Sequence, residues 1–132
     1  MPYDLSIALR ISPILNSQHI YFTSKYDLVE CCFKSFVMAL NDIDYELFAI
    51  LDGCPKYFEK ILSKYAEETR LKIIRTKGIG NSATFLLQIL ILANNASSDY
   101  LYFAEDDYFY VGHFRHLLDF MHKNSFVDFV SP

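Results

Sequence analysis

A chain of 132 residues that is 52% hydrophobic is about one domain in size and carries enough apolar material for a sizeable core, which excludes a disordered tail or linker. Its formal net charge of -4, with no block of lysine or arginine, excludes a partner held mainly through a phosphate polymer, so no nucleic acid is expected. Three cysteines, Cys31, Cys32 and Cys54, are an odd number without CxxC spacing; neither a disulfide framework nor a zinc knuckle is written here, and a reduced, cytoplasmic setting is expected.

In chain order, MPYDLSIALR lacks a basic start followed by a long apolar segment, so no signal peptide is expected, and Leu5 to Ile11 reads as a first strand. After a loop through Pro13 and Asn16, Ser24 with Asp27 three residues later forms a capping box that opens a helix ending near Asn41. In that helix Leu28, Cys32, Phe36 and Leu40 recur every fourth position, an apolar stripe that buries one cysteine. Tyr45 to Leu51 is a continuous apolar run of strand length, as expected of a strand covered on both faces, and it stops at Asp52-Gly53. Pro55 suits the first turn of a second helix, in which Phe58, Ile61, Leu62 and Tyr65 keep helical spacing. Leu71 to Arg75 is a third strand. The loop TKGIGNS leads into an apolar helix, Ala83 to Asn94, whose core Phe85 to Ala93 is far shorter than the roughly 20 residues that cross a bilayer and reads as buried. A fourth strand, Asp99 to Ala104, delivers Glu105, Asp106 and Asp107; a helix from Phe114 to Lys123 and a fifth strand, Phe126 to Val130, follow.

Strands alternating with helices at these crossover lengths predict an α/β fold, a Rossmann-like three-layer sandwich with a mainly parallel sheet. Residues 1–132 read as one domain, and the end at Ser131-Pro132, directly after a strand, suggests that it is interrupted after that fifth strand. No segment is expected to span a membrane, and no basic amphipathic helix argues for peripheral contact with one.

In open α/β sheets, ligands sit outside the carboxyl ends of the strands, where both Asp52 and the EDD triplet fall. Adjacent carboxylates repel unless a cation or hydrogen-bond donors compensate, and a divalent metal is the simplest compensation. Magnesium or manganese on one or two carboxylates keeps positions open for phosphate oxygens and neutralises a diphosphate leaving group. A generic acidic triplet is also a solvated, helix-capping turn, but this one follows a buried strand and is flanked by Phe103, Tyr108 and Phe109. Gly78-x-Gly80-x-x-Ala83 after a strand mimics a dinucleotide-binding fingerprint, which makes an NAD-type domain using GIGNSA the rival reading. The fingerprint normally opens the first βαβ unit, whereas two βα units precede it here, and Gly78 and Gly80 equally serve a turn with positive φ. His113 and His116, three apart, read as surface residues for want of a third ligand; His19 and His122 give no signal. No pattern supports a cysteine nucleophile, and most aromatics fall at core periodicities.

The order strand, ILDG, helix, strand, GIGN loop, apolar helix, YFAEDDY resembles the nucleotide-sugar half of a GT-A fold glycosyltransferase of the family 2 type over nearly the whole chain. The resemblance implies a metal-dependent enzyme that moves a sugar from a nucleoside-diphosphate sugar, a UDP-sugar foremost, to a hydroxyl of a saccharide or lipid-linked acceptor in polysaccharide or glycoconjugate synthesis. It implies that Arg10, Ile11 and Ser12 form the first nucleotide-binding loop, that Asp52 contacts the base, and that Gly80 and Asn81 close over the donor. It further implies that Glu105 and Asp106 contact ribose, phosphate or metal-bound water, and that Asp107, with Glu105, binds Mn2+ or Mg2+ as a DxD-type motif. The family's usual acidic pair after the second strand is reduced here to Asp52-Gly53. Its acceptor half and general base would lie beyond Pro132, so a non-catalytic nucleotide-sugar-binding remnant is a third expectation. The expected location is the cytoplasm, with a peripheral place at the inner face of a membrane also open.

Overall fold

The structure is a computed structural model and describes residues 2–15, 22 and 24–131. Asn16 and His19 of the first loop lie outside the described residues. Four strands, β1 (Leu5–Ile11), β2 (Tyr45–Asp52), β3 (Leu71–Thr76) and β4 (Leu101–Glu105), form one sheet in the order β3-β2-β1-β4, every neighbouring pair parallel. The connecting helices are α1 (Lys25–Ala39), α2 (Glu59–Tyr65, entered through a 3-10 turn at Lys56–Phe58) and α3 (Asn81–Asn95); α4 (Phe114–Lys123) follows β4. Helices lie on both faces of the sheet, as expected for a Rossmann-like three-layer fold.

Local chemistry fixes the element boundaries. Ser24 is the N-cap of α1, its hydroxyl accepting from the Asp27 amide at 3.1 Å, which satisfies a donor that the first helical turn leaves orphaned. Asp42, at φ +67°, turns the chain after α1 toward β2. β2 is buried at all eight positions, as its unbroken apolar run requires, because it lies between two strands and under helices on both faces.

Strand alternation splits the core. Odd positions of β1 and β2, among them Ile7, Leu9, Leu47 and Leu51, pack with Val29, Phe33 and Phe36 of α1, Ile61 and Leu62 of α2, and Phe114 and Leu118 of α4. At about 1.5–3 kcal/mol for each fully buried large side chain, this is the main source of stability. Even positions face α3, where Ala8, Phe48 and Ile50 meet Ile91 and Leu92 in a much smaller cluster. The amide of Gln88 is buried there and donates to the carbonyls of Ala8 (2.7 Å) and Ala104 (3.0 Å), tying α3 to β1 and β4. At the far end of the sheet, buried Glu46 accepts from Ser6 Oγ and from the Ser97 amide, both at 2.6 Å, which pins the turn between α3 and β4.

Two expectations are corrected. The run from Phe126 to Val130 forms no strand: it pairs with no edge among the described residues, where the sheet has four strands, and Phe126 and Phe129 stand exposed. Its phenylalanines and valines supply strand propensity, but a strand also needs a neighbour to satisfy its backbone. The apolar helix is buried on one side only. Thr84, Gln88, Ile91 and Leu92 face the sheet, while Phe85, Leu86, Ile89 and Leu90 are exposed, because α3 alone covers this face and nothing described packs on its outer side. Its apolar content shows that it is hydrophobic all round without showing which sides are covered. No helix of the described residues is long and apolar enough to cross a membrane.

Candidate functional site

Register and alternation bring the charged residues together. Arg10 is aligned with Glu105 across the β1–β4 ladder, and Asp52 with Thr76 across β2–β3. All four are last or next to last in their strands, and each pair shares one side of its ladder, so they gather on the α3 side at the carboxyl end of the sheet, the end at which ligands bind in such folds. An open cleft of about 130 Å³ lies there, lined by Arg10, Ile11, Ser12, Lys25, Asp52, Asn81, Thr84, Glu105, Asp106 and Asp107.

Alternation also separates the three adjacent acids. Glu105 points to the α3 side, where its Oε1 takes Arg10 Nη2 at 2.6 Å; Arg10 Nη1 donates to the Asn81 carbonyl, also at 2.6 Å. Asp106 points the opposite way, toward α1, where its Oδ2 accepts from the Ser12 amide at 2.9 Å and pairs with Lys25 Nζ at 3.1 Å. Burial raises the Asp106 pKa above the usual carboxylate range despite the opposing pull of the Ser12 amide and Lys25. Asp107 lies past the end of β4, exposed, without an ion-pair partner among the described residues. The protein therefore compensates two of the acids itself. Lys25 was not singled out from sequence; its only signal is its place directly after the Ser24 N-cap, on the helix that leaves the site end of β1.

Asp52 is buried and engaged with the loop before α3. Its Oδ1 accepts from Thr76 Oγ1 at 2.6 Å and the Ile79 amide at 2.7 Å, and its Oδ2 from the Gly80 amide at 2.9 Å. Burial alone would raise its pKa, but the Thr76 hydroxyl and the amides of Gly80, Ile79 and Gly78 together outweigh it and hold the carboxyl below its ordinary value. Gly78 and Gly80 adopt φ of +76° and +90°, the positive values expected of this turn.

Of the residues named from sequence, Arg10, Ile11, Ser12, Asp52, Asn81, Glu105, Asp106 and Asp107 all line the cleft; Gly80 does not, its amide donating to Asp52. Among the described residues no three His, Cys, Asp or Glu side chains are grouped to hold a metal ion, since Glu105 and Asp106 diverge. His113 and His116 are both exposed. Cys32 is buried and packs as a small hydrophobe; burial pushes its thiol, and that of Cys54 near the cleft, up to about 11, so neither is an activated nucleophile.

Neither a family model nor a curated protein matches this chain. The charges of the cleft remain the guide to what it binds.

Proposed function

We propose that the cleft binds a nucleoside-diphosphate sugar with a divalent cation, and that the chain is the donor-binding part of a GT-A-type glycosyltransferase. The observation that carries this reading is the charge at the carboxyl end of the sheet: two cations, Arg10 and Lys25, stand against four carboxylates, Asp52, Glu105, Asp106 and Asp107. That surplus favours a cation, and a hard one, since the donors are carboxylate oxygens. Three protein ligands are not required, because magnesium and manganese bound with phosphates commonly use one or two carboxylates and fill their remaining positions with phosphate oxygen and water. Asp107 suits that role as the one acid of the 105–107 triplet without a cationic partner among the described residues, and Glu105, which gives one oxygen to Arg10, stands two residues away.

Bound there, the cation would offset the charge that collects on a departing diphosphate. The chain's own residues do the rest. Arg10 and Lys25 attract the phosphates, the Ser12 and Asn81 segments flank the ligand, and β4 holds the acids in place. In the transfer, an acceptor hydroxyl oxygen, on a saccharide or lipid-linked acceptor, bonds to the anomeric carbon. The bond from that carbon to the diphosphate breaks, the electron pair leaves with the diphosphate, and the hydroxyl proton passes to a base.

The dinucleotide-fingerprint alternative has less support, because that motif uses loop amides against a pyrophosphate. Here the amides of Ile79 and Gly80 already serve Asp52.

Titration calorimetry with UDP and GDP, each with and without manganese, tests the proposal. Metal-dependent binding of both is expected, tighter for one of them, and Asp107→Asn should weaken it by at least about tenfold, or about 1.4 kcal/mol. The same variant should unfold within about 0.5 kcal/mol of wild type, because the residue is exposed. Unchanged affinity in Asp107→Asn would remove this residue from the cation site.

A further inference from the structure

We propose that Asp52 is a positioning residue: its carboxylate clamps the 78–81 loop and through it sets Arg10, rather than meeting a nucleoside base. The role of the loop rests on the donor-site reading above, whereas the clamp rests on geometry alone. Three donors from two segments converge on one buried carboxylate, the Thr76 hydroxyl and the Ile79 amide on Oδ1 and the Gly80 amide on Oδ2. The backbone closes the same unit. The Gly53 amide donates to the Thr76 carbonyl at 2.9 Å, and a Cβ at Gly53 would stand only 3.2 Å from Gly78 Cα.

The loop held in this way presents the Asn81 carbonyl to Arg10 Nη1, while the other guanidinium nitrogen is fixed by Glu105. A single connected path therefore runs from Asp52 through the loop and Asn81 to Arg10 and Glu105. Loosening its first member lets the guanidinium swing away from where a phosphate would meet it. An arginine held at two nitrogens needs little further ordering when an anion arrives.

The clamp needs acceptors on both carboxylate oxygens. An asparagine offers one acceptor and turns an N–H group against an amide that also donates, so Asp52→Asn releases either Ile79 or Gly80. The experiment uses the full chain as wild type, Asp52→Asn, Thr76→Val and Thr76→Ser. It measures amide hydrogen exchange at Ile79 and Gly80 by NMR, together with UDP and GDP affinity in manganese.

Asp52→Asn should speed exchange at one or both amides by at least about tenfold, as loss of a buried hydrogen bond to a charged group implies. It should also weaken UDP and GDP by the same factor as each other. Thr76→Val should shift both readouts in the same direction by less, and Thr76→Ser, which keeps the hydroxyl, should restore them. Unchanged exchange in Asp52→Asn, or in Thr76→Val should the first variant not fold, overturns the clamp. A loss confined to one nucleotide with exchange unchanged overturns it as well and assigns Asp52 to the base. If wild type binds neither nucleotide while Asp52→Asn speeds exchange, the donor-site reading falls and the clamp stands.

Discussion

On one face of the sheet, α1, α2 and α4 bury Phe33, Phe36, Ile61, Leu62 and Phe114 against the odd-numbered strand residues. On the other, α3 alone covers Ala8, Phe48 and Ile50 and leaves Phe85, Leu86, Ile89 and Leu90 in the open. Arg10, Asp52, Thr76 and Glu105 all belong to this thinner face. Its helix is held as much by polar bonds, from Gln88 to two strand carbonyls and from Arg10 to the Asn81 carbonyl, as by apolar packing. The contrast teaches that one face supplies most of the stability and the other supplies chemistry, because charged side chains can converge only where the layer above the strands is incomplete.

The largest test of this contrast is Phe36→Ala. Phe36 is 2% exposed and stacks with Phe33, Tyr102, Tyr110 and Phe114, so its truncation should cost about 4 kcal/mol in urea unfolding. Gln88→Ala should cost about 2 kcal/mol by leaving two strand carbonyls without their donor, and a loss equal to that of Phe36→Ala would abolish the distinction between the faces.

The third test is of pH. Asp52 has its pKa lowered on folding, so its contribution to stability is complete above the unfolded value of about 3.9 and is lost as pH falls through the lower folded value. The gap in stability between wild type and Asp52→Ala should accordingly be constant near neutrality and narrow below about pH 4, followed by thermal melts at stepped pH. Smallest of all, Leu86→Ala on the outer side of α3 should change stability by less than about 0.5 kcal/mol, since Leu86 is 55% exposed.

Much of the fold was legible because local rules fixed it. The Ser24 cap, the buried run of β2 and the glycine turn before α3 each follow from residues adjacent in the chain, and the structure places them where those residues indicate. What escaped depends on partners far away. Whether Phe126–Val130 is a strand depends on an edge being there to receive it, and whether Phe85 is buried depends on a layer above α3. The cleft shows the same divide. Position at the strand ends was readable, but the pairing of Glu105 with Arg10 and of Asp106 with Lys25 spans 95 residues in the first case and needs the alternation of β4 to direct each acid. For the same reason, the triplet did not reveal that Arg10 and Lys25 stand beside two of its three acids.

The central position of β1 also orders events in time. One of its edges is taken by β2, with Ser6 bonded to Glu46 at a separation of 40 residues, and the other by β4, with Arg10 reaching Glu105 across 95. Contacts between such distant residues are slow to close, and on a ribosome they wait for the later residue to emerge. The β1–β2 pair, with α1 packed on it, can mature while β4 is still unmade. Until β4 arrives, Arg10 has no Glu105 and Lys25 has no Asp106, so the nascent chain carries a cationic groove that changes sign only when residues 105–107 emerge.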